Sequence, residues 1–322
     1  MHMFREKGGL PMTGAKGATR RDVMTAAAAL ALAGFGLRPR PLFAATGLPL
    51  GELEVSVLSD GHLTLPMDFV LPQTTKEEIE ALFAPHGLPT DALKPPLNVT
   101  LLRGGDRLIL FDAGSGPRFQ DTAGALPSAL EAAGIDPSEV TDVVFTHCHP
   151  DHLWGVLDDF DEPLFAEATH WMPQDEWAYW RDEGTLAATP EARKSFVVGA
   201  QNRLAAIEDF VTLVRPGDEL PLGIEALATF GHTPGHTSYV IHGGGDSLLV
   251  TGDALTNHLF SFERPDWPSG TDQDPQMGAA TRKSLLERIA TDRMRIVGYH
   301  LPEPGIGTAE RKDGAYRFVP AA

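Results

Sequence analysis

Apolar and polar positions alternate in short runs along most of this chain. Leu53-Glu54-Val55-Ser56-Val57-Leu58 has period two, as a half-buried strand does. Ser59-Asp60-Gly61 then reads as a turn, and His62-Leu63-Thr64-Leu65-Pro66 as a returning strand, so a hairpin is expected here. Asp60 and His62 read as turn and edge residues, with a place in a pocket wall as the alternative. Thr75-Lys76-Glu77-Glu78 is a capping box, with Ile79, Leu82 and Phe83 on one helical face. Runs at 98–102 and 107–111 predict two strands joined through Gly104-Gly105-Asp106. Leu126 to Gly134 reads as a helix with a glycine stop. Short strands follow at 142–145 and 163–171, then a helical stretch from Pro173 to Phe210 that breaks near Gly184 to Pro190. Further strands are expected at 224–230, 238–242, 247–251, 294–299 and 316–319, with a helix from Thr281 to Ala290. Strand-rich halves flank a helical middle, which suggests two sheets within one domain spanning residues 46–322.

The 322 residues allow one large domain or two small ones. A formal net charge of -18 argues against a nucleic-acid partner, which would require a basic face. The single cysteine, Cys148, excludes an intrachain disulfide. Residues 1–45 read as a targeting segment. Arg20-Arg21-Asp22-Val23-Met24 is a twin-arginine pattern, followed by an alanine-rich run too short and too weakly apolar to span a membrane. Ala44, Ala45 and Gly47 offer cleavage sites. A basic amphipathic helix is the alternative reading. On the export reading the mature protein is periplasmic, has no membrane span, and meets the twin-arginine machinery as a partner. A homodimer stays open.

Candidate chemistry concentrates in Thr146-His147-Cys148-His149-Pro150-Asp151-His152. The loop follows the apolar strand at 142–145 and precedes Leu153-Trp154-Gly155-Val156-Leu157, which reads as a helix start. Imidazole and carboxylate are the donors that Zn²⁺ and similar divalent ions take. Side chains at i and i+2 of an extended segment share a face, so His147 and His149 reach one ion, while Asp151 and His152 lie past the bend towards a second. Cys148 should point away in a structural role, with metal contact as the alternative. Two ions need more donors than one loop holds. Three other strand ends carry one each: His236, Asp253 and His300. Asp112, at the end of the 107–111 strand, reads either as an acceptor orienting a ligand histidine from behind or as an Asx turn. The aromatic residues of the helical middle read as core or as a pocket wall.

The set His147-Cys148-His149-Pro150-Asp151-His152, Gly231-His232-Thr233-Pro234-Gly235-His236, Thr251-Gly252-Asp253 and a late strand-end histidine resembles the metallo-β-lactamase superfamily. Several segments are similar to its methyl parathion hydrolase group, among them Leu58-Ser59-Asp60-Gly61 and the closing Tyr316-Arg317-Phe318-Val319-Pro320. The resemblance implies an α/β fold, a four-layer αβ/βα sandwich with the ions at one edge. It implies that His147, His149 and His236 bind one metal, that Asp151, His152 and His300 bind the other, and that Asp253 bridges. The cofactor would be two divalent ions, Zn²⁺ first, with Mn, Fe or Co open. Such a pair shares a water, lowers its pKa and yields a hydroxide for attack on carbon or phosphorus, with Asp151 and Asp253 as the catalytic carboxylates. The implied pocket aromatics are Phe119, Trp180 and Phe196.

Departures narrow the chemistry. The bridging Asp253 argues against β-lactams, Thr256 stands where many lactonases carry a tyrosine, and His149 stands where di-iron relatives carry a glutamate. No cationic side chain is expected in the pocket. The function expected is periplasmic hydrolysis of neutral, aryl-bearing esters, lactones or phosphotriesters. An acyl-homoserine-lactone-type lactonase and a metal-binding protein without turnover are the alternatives. Physiological substrate, native metal and oligomeric state are not legible.

Overall fold

Two seven-stranded sheets carry the fold of this computed structural model, which describes residues 47–321. The first comprises β1 (Leu48–Leu50), β2 (Leu53–His62), β5 (Pro96–Gly104), β6 (Arg107–Phe111), β7 (Asp142–Val144), β8 (Thr169–Pro173) and β9 (Val211–Val214), in that spatial order. Its first half is antiparallel and β6 to β9 are parallel. The second runs β10 (Glu219–Leu220), β11 (Ile224–Ala228), β12 (Thr237–Gly243), β13 (Asp246–Val250), β14 (Arg295–Val297), β15 (Ile306–Lys312) and β16 (Ala315–Pro320), with one parallel pair, β13 with β14. A short ribbon, β3 (Leu65–Pro66) with β4 (Ala92–Leu93), stands apart from both.

Alternation along the strands builds the layers. Ile109, Phe111 and Val144 meet Tyr239, Ile241, Leu248 and Val250 in the core between the sheets. Their neighbours Leu108, Leu110, Val143 and Phe145 face the other way, onto Leu126, Leu130, Val197, Ala200 and Leu204 of the helices Leu126–Ala133 and Lys194–Ala206. Val240, Leu249 and Ile296 pack outward on Leu285, Leu286 and Ile289 of the helix Pro275–Asp292. Period-two side chains give each sheet two faces, and both sheets bury both of them. The result is the expected four-layer αβ/βα sandwich, and all described residues lie in one structural unit. The export signal expected at residues 1–45 lies outside the described residues. Among the described residues no helix is long and apolar enough to cross a membrane.

Several boundaries moved for identifiable reasons. The expected hairpin at 53–66 is one long strand, β2, with its register shifted between Ser59 and His62. Asp60 is wholly buried there, accepting from the Ser115 and Leu126 backbone N–H groups at 2.7 Å each, so it pins two loops instead of making a turn. Burial pushes its carboxyl above the usual range, against those hydrogen bonds. The last long helix starts at Pro275, six residues before its expected start at Thr281, because the Asp274 side chain caps Gln276 and Met277. β9 and the polar half of β15 carry too little apolar alternation to stand out. The capping box at Thr75 and the left-handed glycine stop at Gly134 form as expected.

Candidate metal centre

Strand ends from both sheets converge at one edge of the sandwich. The loop after β7 supplies His147 and His149, and the single helical turn Pro150–Leu153 supplies Asp151 and His152. His232 comes from the loop between β11 and β12, Asp253 from the turn after β13, and His300 from the segment after β14. His147 Nε2, His149 Nδ1 and His232 Nε2 approach one another, with His149 Nδ1 3.0 Å from the first and 2.9 Å from the third. Asp151, His152 and His300 form a second cluster, with Asp151 Oδ2 3.5 Å from His152 Nε2 and 3.3 Å from His300 Nε2. Asp253 lies between them, 3.2 Å from His232 Nε2, 3.2 Å from His152 Nε2 and 3.3 Å from His300 Nε2.

The structure corrects one expected donor. His236 belongs to neither cluster, because both its ring nitrogens already have protein partners. Its Nε2 accepts the Asp253 backbone N–H at 2.9 Å, and its Nδ1 lies 2.8 Å from Thr229 Oγ1. Burial holds this imidazole neutral, with its pKa down to about 3. His232, four residues earlier in the same loop, takes the place expected of His236. His236 instead holds the backbone of the central aspartate.

Partners behind the rings set their tautomers. Asp112 accepts from Thr146 N–H at 2.7 Å, from Thr146 Oγ1 at 2.8 Å and from His152 Nδ1 at 2.8 Å. Thr146, its proton committed to Asp112, accepts from His147 Nδ1 at 3.0 Å. His232 Nδ1 donates to Asp272 and His300 Nδ1 to the Pro96 carbonyl. Each of these four imidazoles thus commits Nδ1 to its partner and turns Nε2 inward, where a metal ligand needs it. Asp112 reaches its position in a left-handed backbone conformation, φ 66°, which aspartate tolerates better than most residues. Cys148 points away, into the core beside Met172, where burial pushes its thiol well up.

A cation fits this convergence. Three imidazole nitrogens face one another, and among the described residues His152 Nε2 and Asp253 Oδ1 are buried without a hydrogen-bond partner. Burial works against charge on His300 and His232, yet the Asp253 carboxylate lifts them to about 10 and about 9. Burial also opposes the Asp253 charge, and the His300 and His152 imidazoles hold that carboxyl well down. The same carboxylates would neutralise divalent ions. The residues present therefore fit two such ions, held by His147, His149 and His232 on one side and Asp151, His152 and His300 on the other, with Asp253 common to both.

A cavity of ≈ 190 Å³ opens over the centre. Leu63, Leu65, Phe69, Val70, Leu93, Phe119, Phe196 and Phe260 form its apolar wall, and Thr256 and Arg193 are among its polar lining. Phe119 and Phe196 thus line it as expected, their rings edge-to-face at 5.8 Å. Trp180 does not. It is 2 % exposed, stands edge-on behind His149 at 5.8 Å and donates its indole N–H to Glu176, touching only a side cavity. Trp154, in the turn after the Pro150–Leu153 helix, backs Phe119 at 5.6 Å and lies under Arg203 at 4.3 Å. Arg193 overturns the expectation that no cation reaches the pocket. Glu176, Asp272 and Arg193 belong to none of the sequence motifs, since each is an ordinary charge on a helical or loop segment far in sequence from the ligands.

A four-layer sandwich with a dinuclear donor set at its edge is a defined class of metalloprotein. The family model of the metallo-beta-lactamase superfamily matches residues 95–300, and the chain belongs to that superfamily. Among curated proteins it is similar to metallo-beta-lactamase domain-containing protein 1 of Xenopus laevis, 29% identical over 192 residues, 59% of this chain and 66% of that one. It is also similar to N-acyl homoserine lactonase AttM of Azorhizobium caulinodans, 26% identical over 180 residues, 54% of this chain and 63% of that one. The chain thus spans less than two thirds of either relative. Two solved structures cover more. AidC, a dizinc quorum-quenching lactonase, superposes with a TM-score of 0.81 at 27% identity over 86% of this chain and 97% of its own. The hydrolase AbOPH of the beta lactamase superfamily gives 0.80, also at 27% identity, over 86% of this chain and 97% of its own.

Proposed function

We propose that this protein is a dinuclear, zinc-dependent hydrolase of carboxylic esters or lactones with an apolar, aryl- or acyl-bearing portion. The observation that carries the reading is the pair of donor clusters at the floor of an apolar cavity. Held by these residues, a divalent pair would lower the pKa of water into the neutral range and polarise an acyl or phosphoryl oxygen. The chain's own residues do the rest. Asp151 and Asp253 are the carboxylates positioned to hold a proton during attack. Phe119, Phe196 and the leucines exclude bulk water and bury the substrate's apolar part. Likeness to AidC over almost its whole chain supports the lactone arm of the reading. Thr256 lines the cavity where a tyrosine would be needed for tyrosine assistance, so a lactone must be turned over without it. Phosphotriesters are the second reading, favoured by the segments similar to the methyl parathion hydrolase group.

A panel of N-acyl lactone, aryl acetate, dialkyl aryl phosphate and β-lactam on zinc-loaded protein tests this. Turnover of the first two, lost with EDTA and restored by Zn²⁺, is expected, with little on the β-lactam. Two bound metal equivalents without turnover of any substrate would leave a metal-binding protein. The reading includes export through Arg20-Arg21. Replacing both by lysine should retain the protein in the cytoplasm, and an undiminished periplasmic yield would refute it.

A further inference from the structure

Arg193 is a half-buried cation in the wall of the cavity over the metal centre. It ends the turn Glu191–Arg193, just before the helix Lys194–Ala206. One guanidinium N–H group donates to the Gly270 carbonyl, and the group lies over the Phe69 ring at 5.3 Å. Among the described residues no carboxylate forms an ion pair with it. The nearby Asp272 is already committed, to His232 Nδ1 at 3.0 Å and to Arg282 Nη2 at 3.0 Å. Burying a cation without a counter-charge is costly, so such a group in a cavity wall points to a ligand. Arg193 stands where the cavity over the metal centre meets the side cavity, and both are lined by Arg193, His149 and Phe196. A molecule whose scissile carbonyl lies at the centre can therefore present a second group to the guanidinium.

We propose that Arg193 is a subsite for a carboxylate carried by the substrate on the part remote from the scissile bond, so that the preferred substrates are anionic esters or lactones. The inference rests on the hydrolase reading and narrows its substrate class. Beyond the bond to Gly270, a planar guanidinium has further N–H groups in one plane to offer a carboxylate, and the Phe69 ring covers its face rather than those edges. The protein's strong negative charge repels anions generally. Arg193 is thus a local exception that would select a carboxylate by position.

The test compares 4-acetoxybenzoate with its methyl ester, which differ in one remote charge, on zinc-loaded wild type, Arg193→Met and Arg193→Lys. The ratio of kcat/KM, charged over neutral, should fall at least tenfold in Arg193→Met, mainly through KM, and by less in Arg193→Lys. Binding of 4-hydroxybenzoate against methyl 4-hydroxybenzoate, measured by calorimetry, should show the same change in ratio without depending on turnover. An unchanged ratio in both measurements, with metal content intact, overturns the proposal, as it would if the carboxylate bound at the metals instead. If Arg193→Met does not fold, the Arg193→Lys ratio decides, a fall supporting the subsite and an unchanged value overturning it. Turnover of the neutral ester with no change in ratio refutes the subsite alone. Arg193-dependent binding without any turnover refutes the hydrolase reading alone.

Discussion

Glu176 ties the two histidine loops together, and replacing it should uncouple them. Its carboxylate is fully buried and receives four hydrogen bonds. Cys148 N–H donates at 3.0 Å and Trp180 Nε1–H at 2.6 Å to one oxygen, while Gly235 N–H at 2.9 Å and the Thr233 hydroxyl donate to the other. Cys148 lies between His147 and His149, and Thr233 follows His232. One side chain therefore sets the spacing of all three nitrogens of the first cluster. Burial pushes the Glu176 carboxyl up, and the four donors oppose that by favouring the ionised form. Glu176→Gln keeps the shape but turns an NH₂ group on two of the donors. Each donor left unsatisfied costs about 1–3 kcal/mol, so the gross loss is about 2–6 kcal/mol, offset in part by the buried charge removed. Displacing ligands through their supports costs about 10–100-fold in metal affinity. Zinc competition against a chromophoric chelator, with the visible spectrum of the Co²⁺ form, should show one of two sites weakened by that factor. Arg107→Met is the control: it removes the Asp142 ion pair, 2.9 Å long and remote from the centre, and should lower Tm without changing metal affinity. A Glu176→Gln protein with lowered Tm and unchanged affinity at both sites would refute the reasoning.

His232→Ala should lose one of two metal equivalents and nearly all activity, measured by metal analysis after dialysis. His236→Ala should keep a larger share of its metal, because its ring supports Asp253 without offering a free nitrogen; equal losses in the two variants would contradict this assignment. His170, stacked on Phe145 at 6.0 Å, is held by burial at a pKa of about 4, below the usual 6.5. Its neutral form is the one the fold accepts, so its contribution is complete above pH 6.5 and is lost as pH falls through 4. At pH 5 this group alone should lower stability by about 2 kcal/mol relative to pH 7. Urea unfolding at both pH values should show that difference shrink in His170→Phe, and an equal acid loss in both proteins would place the cause elsewhere.

Local signals were enough for much of this molecule. Apolar-rich runs announced β5, β6, β11 and β13, because a sheet buried on both faces needs apolar residues at nearly every position. Four donors stood in the His147–His152 segment because a strand end followed by a helical turn places them by local geometry alone. Asp112 read either as their support or as an Asx turn, with the resemblance favouring the first, and its bonds to Thr146 and His152 are those of a support. The choice between His232 and His236 was not local. They are the same residue type in one short loop, and the Asp253 backbone and Thr229, brought in by other strands, decide which ring is already engaged. Asp60 looked like a turn residue until the Ser115 and Leu126 N–H groups arrived to meet it. Trp180 and Phe196 were equivalent aromatics of one helical stretch until packing put the first behind His149 and the second on the cavity wall. Glu176 and Arg193 belong to no motif, being ordinary charges beside Asp175 and Lys194 on helical segments. The fold gathers donors from two loops around Glu176 and, among the described residues, pairs no carboxylate with Arg193.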